Sequence, residues 1–552
     1  MAVATAVIAP MPFLDNASGH DFQFHLSSWM ETASQWREGI LYPRWAEWAN
    51  WGFGEPRFIF YPPASWMIGA GMGLVLPWRV VPGAFIWLAL IAAGMSMSKL
   101  AREWLDGPQA TVAAVLYAVS PYQLVMVYYR SDFAELLAGA LFPLVLWGAV
   151  RISRGDWRAV PWLALIFAGI WISNAPAAVM ATYSLTLAIA VGCVVRRSLR
   201  PLFPGAIAMA GGFGLAAFYI LPAAWEQRWV QIGQVLADHF RPWQNFLFTH
   251  NNAPDFTQFN WRVSWVALGA IVVTIVAAAF AARRRRESPD LWWIVAATEG
   301  AALFLMLPPS TLLWRYLPRL QFMQFPWRWL EALGVAYALF LAAGMGRLRR
   351  NAWIVPMIML VATAGTACAL IHTGWWDSDD VPAVADAIHL GHGYEGTDEY
   401  MPIGADRDQL PGNPDEDTRP EGVSGETAPR IAMVDAENSD EIVPVTGARI
   451  HIERWTAERR IIAVEDAQPI RLAPRLLAYP AWKVKVDGRD APYEISPDTS
   501  QMIVLLPSGT HRIEIRFSRT WDRTTGGALS LATAALLLLA TALQRRAAND
   551  RL

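Results

Sequence analysis

A chain of 552 residues that is 54% hydrophobic and only 17% charged, with positive mean hydropathy, is too apolar for an ordinary soluble enzyme. It reads as a polytopic membrane protein carrying some soluble mass. A formal net charge of -2 argues against a nucleic-acid partner, and Cys193 and Cys368, both in apolar segments, make neither a disulfide framework nor a zinc site.

Residues 1–14 are apolar but shorter than the ~20 residues a spanning helix needs. They lack the basic start and small-residue cleavage site of a signal peptide, so they read as part of a first transmembrane segment. Residues 15–63 are too polar for lipid and too aromatic for a linker. Phe22, Leu26, Trp29, Ala33 and Trp36 recur at helical spacing, with Asp21, His25, Ser28 and Thr32 on a neighbouring polar face. That pattern predicts an amphipathic helix lying in the headgroup layer, within a first outer loop. Turn signals around Gly39, Tyr42-Pro43 and Gly52 to Pro56 then double the chain back.

A multi-span domain is expected over 64–372. Apolar segments fall near 64–77, 81–98, 109–127, 133–150, 159–173, 176–195, 202–222, 263–282, 290–307, 329–346 and 352–372, with a last one at 525–543. With the partial first segment this gives about 12–13 spans. Basic clusters at Lys99/Arg102, Arg151/Arg154/Arg158, Arg196/Arg197/Arg200, Arg283 to Arg286, Arg347/Arg349/Arg350 and Arg545/Arg546 mark one side, cytoplasmic by the positive-inside rule. Two full crossings between Pro63 and Lys99 would put 15–63 on that same side. Segment 64–77, short and holding Gly69, Gly71 and Gly73, is therefore expected to dip in without crossing.

Residues 373–441 read as an extracytoplasmic loop region, acidic and rich in Gly and Pro, with 406–427 of disordered composition. Alternation over 442–522 predicts an antiparallel β-sandwich of seven or eight strands, with hairpin turns at Asp487-Gly488 and Ser508-Gly509. Residues 523–552 supply a final helix and a cytoplasmic tail.

Four groups of residues could carry chemistry. Asp21, between His20 and His25, could act as general base on a hydroxyl or help bind a divalent cation; equally, it could cap the helix that begins at Phe22. Glu135 heads an apolar helix, where an unpaired charge costs roughly 2–4 kcal/mol, and Arg130 is its natural partner, in a site or simply in a structural ion pair. Arg315, Arg319 and Arg328 lie among aromatics on the outer side, against the inner bias for arginine. Such a cluster suits a phosphate or pyrophosphate, and equally headgroup contact with bulk lipid. His389, His392, Glu395, Asp398 and Glu399 could hold a cation but match no standard metal signature. Asp21, His25, His389 and His392 are the metal candidates, and no Gly-rich nucleotide loop stands out.

The runs GHDFQFH, GILYPRW, WGFGEPRFIFYPP, SPYQLVMVYYRSDFAELLAGALFP, ISNAPAA, LQFMQFPWRWLEALG, GYEGTDEYMP and YPAWKVKVDG follow one another in an order that resembles a family of bacterial membrane proteins. The family is described as pyruvoyl-tetrahydropterin synthase related and is close to the YfhO-like proteins. Both are similar to GT-C glycosyltransferases. The resemblance implies a GT-C-like polytopic fold in the bacterial inner membrane, with an outward site and a C-terminal extracytoplasmic β-sandwich. It implies an inverting transferase that moves a sugar from a polyprenyl-phosphate donor to an envelope glycan, lipid or protein. Carried over, the acidic residue of the first outer loop is Asp21, as base or metal ligand. Arg315, Arg319 and Arg328 would hold the donor phosphate, with His20, His25, Arg130 and Glu135 in support. The rival reading is a non-catalytic transporter or assembly scaffold for envelope glycans.

Overall fold

The computed structural model describes residues 1–345, 365–414, 425–434 and 442–549. Long apolar runs become helices because lipid offers the backbone no other hydrogen-bond partners. Among the described residues six helices are long and apolar enough to cross a membrane: Val81–Ala101, Gly107–Arg130, Phe133–Ser153, Ala175–Arg196, Pro254–Arg284 and Trp521–Gln544. Two bent pairs, Leu202–Leu215 with Ala217–Trp229 (71°) and Pro289–Leu305 with Pro308–Tyr316 (93°), raise this to eight if each is one span. Ala2–Leu14 and Ala159–Trp171 are shorter apolar helices. The segment at 352–372 falls largely outside the described residues, as do Arg347, Arg349, Arg350 and much of 406–427.

The turns bearing four of the six basic clusters meet at one end of the bundle. Arg154 joins Glu103 (2.6 Å) and Asp290 (3.4 Å), Arg196 pairs with the same Asp290, and Arg284 donates to Gln109 at 3.0 Å. The 15–63 stretch lies at the other end. Segment 63–80 leaves from there and comes back: Ser65 touches His25 at 3.4 Å, and Arg79 pairs with Asp15. Its helix, Pro63–Gly73, has 11 residues and rises about 16 Å, near half the hydrocarbon thickness.

The helix Phe22–Arg37 forms where its spacing predicts, but its polar face is covered by protein. His25, Ser28 and Thr32 of its polar face are buried along with Phe22, Leu26 and Trp29. The polar side chains are satisfied by protein. Arg57 donates to Ser27 and Ser28 (3.2 Å each), Gln35 donates to the Trp45 carbonyl at 2.8 Å, and Glu31 accepts from the backbone of Glu47 and from the Tyr394 hydroxyl. The second half of the stretch enters the β-domain. Trp45 is fully buried against Tyr479, Trp482 and Phe517.

A short bridge between β1 (Asn16–Ala17) and β2 (Trp376–Asp377) ties the two ends of the bundle segment together. Among the described residues the C-terminal domain holds ten strands: β3 (Ile431–Val434), β4 (Ile442–Pro444), β5 (Arg449–Thr456), β6 (Arg459–Asp466), β7 (Ile470–Pro474), β8 (Trp482–Val486), β9 (Arg489–Ala491), β10 (Glu494–Ile495), β11 (Met502–Leu506) and β12 (Gly509–Phe517). They form two antiparallel sheets, β10-β11-β7-β3-β4 and β5-β6-β12-β8-β9, around a shared core. The domain thus begins before residue 442, because β3 pairs with β7. Asp487 and Gly488 both take positive φ (50° and 81°), as a tight two-residue hairpin requires. Ser508-Gly509 is not a hairpin turn: β11 and β12 belong to different sheets, so the chain crosses between sheets there.

Candidate active site

Asp21 and Arg130 are brought together by backbone. The His20 amide donates to the Tyr129 carbonyl (3.3 Å) and the Asp21 amide to the Arg130 carbonyl (2.9 Å). Ser131 clamps the junction, accepting from the Gly19 amide (3.0 Å) and donating to the Ala17 carbonyl (2.7 Å). Gly19 is required by this approach, since a Cβ there would sit 2.2 Å from the Tyr129 carbonyl oxygen. Residues 126–130 form a π-helical turn, and Ser131 follows with a left-handed φ of 50°. Such turns shift the direction of a helix end and recur at functional sites.

Asp21 stands at the N-cap position of Phe22–Arg37, yet its side chain makes no capping bond. Instead Oδ2 accepts from Arg130 Nε (2.9 Å) and Nη2 (2.5 Å), and the carboxylate stays about one-third exposed (32%). Asp132 does cap, accepting from the Glu135 amide at 2.9 Å. It also lies 3.5 Å from Arg130 Nη2 and 3.4 Å from His25 Nε2. Burial opposes its ionisation, but the His25 bond and the Arg130 charge prevail and hold it well below the usual carboxylate range.

The sequence pairs Glu135 with Arg130. In the structure Glu135 faces Arg328, 3.4 Å from Nε to Oε2, and accepts from the Tyr122 hydroxyl. Arg130 turns the other way, toward Asp21, because the π-helical turn and Ser131 aim it across the loop.

A cavity of about 630 Å³ opens on the Asp21–Arg130 pair. Its walls are aromatic: Tyr129, Phe240, Phe256, Phe259, Phe325, Trp327 and Trp375. Arg130 is only 4% exposed and, among the described residues, its Nη1 has no hydrogen-bond partner, so a buried cation is left with donor capacity unused. The guanidinium sits 5.3 Å from the Trp327 ring centre and 5.7 Å from that of Phe325. His20 packs edge-on against Phe259 and Trp375. Its pKa is lowered by burial and by the Arg130 charge, against the pull of Asp21, so the ring is neutral at neutral pH. Exposed Asp255 and Arg262 stand at the mouth.

The other candidates do not converge on this cavity. Arg315 and Arg319 are exposed, lying over Trp243 and Phe322, while Arg328 is buried on Glu135. His25 is buried between Ser65 and Asp132 rather than facing the cavity. His389 bonds the Ala385 carbonyl, His392 the Thr427 hydroxyl, and Glu395 and Asp398 share Arg407 (2.8 and 3.2 Å). Glu399 is half-buried, and desolvation pushes it up to about 7, with Glu55 adding to it. Among the described residues no three His, Cys, Asp or Glu side chains are grouped so as to hold a metal ion, and Asp21, His25, His389 and His392 are not gathered in one place. Asp255 and Arg262 escaped the sequence reading as a pair. Their spacing of seven, two turns of one helix, is the signal that marks them as one face.

Several known proteins are similar to the chain. A protein of Lactococcus lactis subsp. cremoris, described as uncharacterized, is 24% identical over 230 residues, which is 39% of this chain and 37% of that protein. The mycobacterial arabinofuranosyltransferase AftD superposes over 94% of this chain and 59% of its own, at 14% identity and a TM-score of 0.45. The archaeal oligosaccharyltransferase AglB of Archaeoglobus fulgidus, solved with an inhibitory peptide and a dolichol-phosphate, does so over 72% and 56%, at 12% identity and a TM-score of 0.35. The chain spans less than two thirds of the length of each of these. The 6-pyruvoyl-tetrahydropterin synthase related domain, a membrane protein family, matches residues 58–371, more than half of the chain, and the chain belongs to that family.

Proposed function

We propose that this protein is a membrane glycosyltransferase that moves a sugar from a polyprenyl-phosphate donor to an envelope acceptor on the outer face of a bacterial inner membrane. The observation that carries the reading is the cavity in which a partly exposed carboxylate, Asp21, meets a buried arginine with an unused donor, Arg130, inside aromatic walls. Those parts match what such a transfer needs. The donor's phosphate takes hydrogen bonds from Arg130, with Arg262 at the mouth. Engaging the phosphate loosens Arg130 from Asp21, and the freed carboxylate accepts the proton of the acceptor hydroxyl. The hydroxyl oxygen then bonds to the anomeric carbon as its bond to the phosphate oxygen breaks, which inverts that centre. The polyprenyl phosphate leaves with the bonding electrons. Neutral His20 and the aromatic rings shape the sugar pocket. The end bearing the basic clusters is cytoplasmic in this reading, which puts the cavity and residues 373–522 outside.

One observation favours the carrier reading: two helix pairs are sharply bent at short breaks, the form that discontinuous helices take at transporter binding sites. Neither break lines the Asp21 cavity. The test follows release of polyprenyl phosphate from a panel of lipid-linked sugars, with envelope extract as acceptor. Asp21→Asn is expected to lower turnover roughly 10²–10⁴-fold with donor binding retained, while Asp498→Asn, at an exposed site of the β-domain, keeps it. Donor bound but never consumed by the wild type establishes a carrier. Equal turnover by wild type and Asp21→Asn removes Asp21 from the chemistry.

A further inference from the structure

The outer face of the second sheet carries charge that its fold does not require. Along β8 and β12, Trp482, Val484, Ile513, Ile515 and Phe517 point into the core, leaving Lys483, Lys485, Glu514 and Arg516 outside. The antiparallel register sets Glu514 opposite Lys485, and Arg516 directly opposite Lys483. An opposite-charge pair supports a sheet at such positions, whereas a like-charge pair weakens it. The nearby carboxylates are already engaged: Asp490 lies 3.7 Å from Lys485, and Glu514 takes Arg459 at 2.8 Å. Among the described residues neither Lys483, Arg516 nor the adjacent Arg519 has an ion-pair partner, in a chain whose net charge is -2.

These three cations line a groove of about 1060 Å³ over that face, floored in part by the half-buried ring of Tyr493. At Arg516 and Arg519 it continues into a second hollow of about 350 Å³, lined by Arg454, Glu38, the Arg44–Glu458 pair and Arg459, itself paired with Glu514. A volume near the upper limit for single small ligands, with cations spread along it and a phenol ring on the floor, suits an extended anion built of rings.

We propose that this groove binds an acidic glycan strand, bearing carboxylate or phosphate groups, as the part of the acceptor that extends beyond the bond-forming site. The acceptor role rests on the transferase reading above; the binding itself does not. The groove, at about 1060 Å³, is too large for one lipid headgroup, which would engage a fraction of its cations.

The test uses the full chain carrying Asp21→Asn, in nanodiscs of zwitterionic lipid, so that no turnover is needed. A short oligogalacturonate is titrated against a neutral maltooligosaccharide of equal length. The acidic probe is expected to bind saturably and more weakly as salt rises, and the neutral one not to bind. Lys483→Gln with Arg516→Gln is expected to weaken binding on the order of tenfold or more without lowering Tm, since the substitutions remove a like-charge contact. Arg516→Lys retains binding, and so does Arg449→Gln at an exposed site on β5. Equal binding by the double variant, or equal binding of the neutral probe, overturns the proposal. So does a double variant that loses retention of phosphatidylglycerol in mixed-lipid discs while its glycan affinity is unchanged. Loss of transferase activity elsewhere leaves this result standing, and failure here leaves the Asp21 chemistry untouched.

Discussion

At the scale of single residues, three outer arginines that look alike in the sequence separate by surroundings. Arg328 is buried against Glu135, so Arg328→Gln removes the nearer cation from a carboxyl group that keeps the Tyr122 hydroxyl. Breaking one half of a buried pair costs about 3–5 kcal/mol, and thermal unfolding in detergent is expected to show that loss. Arg315 and Arg319 are exposed on aromatic rings, and neutralising them is expected to leave both stability and donor KM unchanged. Arg262, at the cavity mouth, behaves differently: Arg262→Gln is expected to raise donor KM on the order of tenfold with unchanged Tm. A donor KM that moves with Arg319 and not with Arg262 would relocate the phosphate site. The residue types were legible before the fold was known. Asp21, Arg130 and Glu135 stand out as charges at an apolar boundary. Their pairing was not legible, because it depends on where a π-helical turn and a left-handed Ser131 aim Arg130. No spacing rule encodes that aim.

At the scale of elements, the site depends on one close crossing. Residues 16–21 run against 128–131 through amide-to-carbonyl bonds at His20 and Asp21, and Gly19 has no room for a methyl group. Gly19→Ala is expected to push the two segments apart and lengthen the Asp21–Arg130 contact, with a loss of about 1–3 kcal/mol. It should lower turnover more than Tm, which a parallel assay of both would show; a variant with full turnover would mean that the loop adapts. The same region shows what a periodic pattern can and cannot tell. The 3.6-residue rhythm of Phe22 to Trp36 placed the helix correctly. It could not distinguish a polar face turned to headgroups from one turned to Arg57, Tyr394 and Trp45, because both look equally polar in sequence. The strands of the β-domain were legible for the opposite reason. Alternation names the buried face directly, and Ile513, Ile515 and Phe517 are buried as alternation requires. The assignment of strands to two sheets was not, since Ser508-Gly509 carries the turn chemistry of a hairpin but joins different sheets.

At the scale of the whole molecule, the 15–63 stretch is the joint between bundle and β-domain, and its carboxyl groups make that joint sensitive to pH. Glu31 is pushed up to about 8, chiefly by burial, with the Glu47 carboxylate adding to it against Tyr394 and Arg57. Glu38, which accepts from the Ala457 amide of the β-domain at 3.2 Å, is pushed up to about 7 by burial and by Glu47. Each keeps in the folded protein a proton that the unfolded chain releases near its ordinary value of 4.5. Their contribution is therefore complete below that value, shrinks as pH rises, and is gone once pH has passed through 7 for Glu38 and 8 for Glu31. The slope is at most about 1.4 kcal/mol per pH unit for each group. Two groups act in the other direction: the stabilisation from Asp132 is lost only in acid below its ordinary range, and His20, whose pKa is lowered, offsets one group's share of the fall only below its ordinary 6.5, so neither masks the effect. Tm is thus expected to fall steadily between pH 5 and 8. Glu31→Gln holds the neutral shape at every pH and is expected to flatten that fall, and β-domain amides near Trp45 and Ala457 should gain hydrogen-exchange protection relative to wild type at pH 8. A wild-type Tm that rises over this interval, or a variant with the same slope, would mean that Glu31 is ionised in the folded joint and that Arg57 and Tyr394 have outweighed its burial.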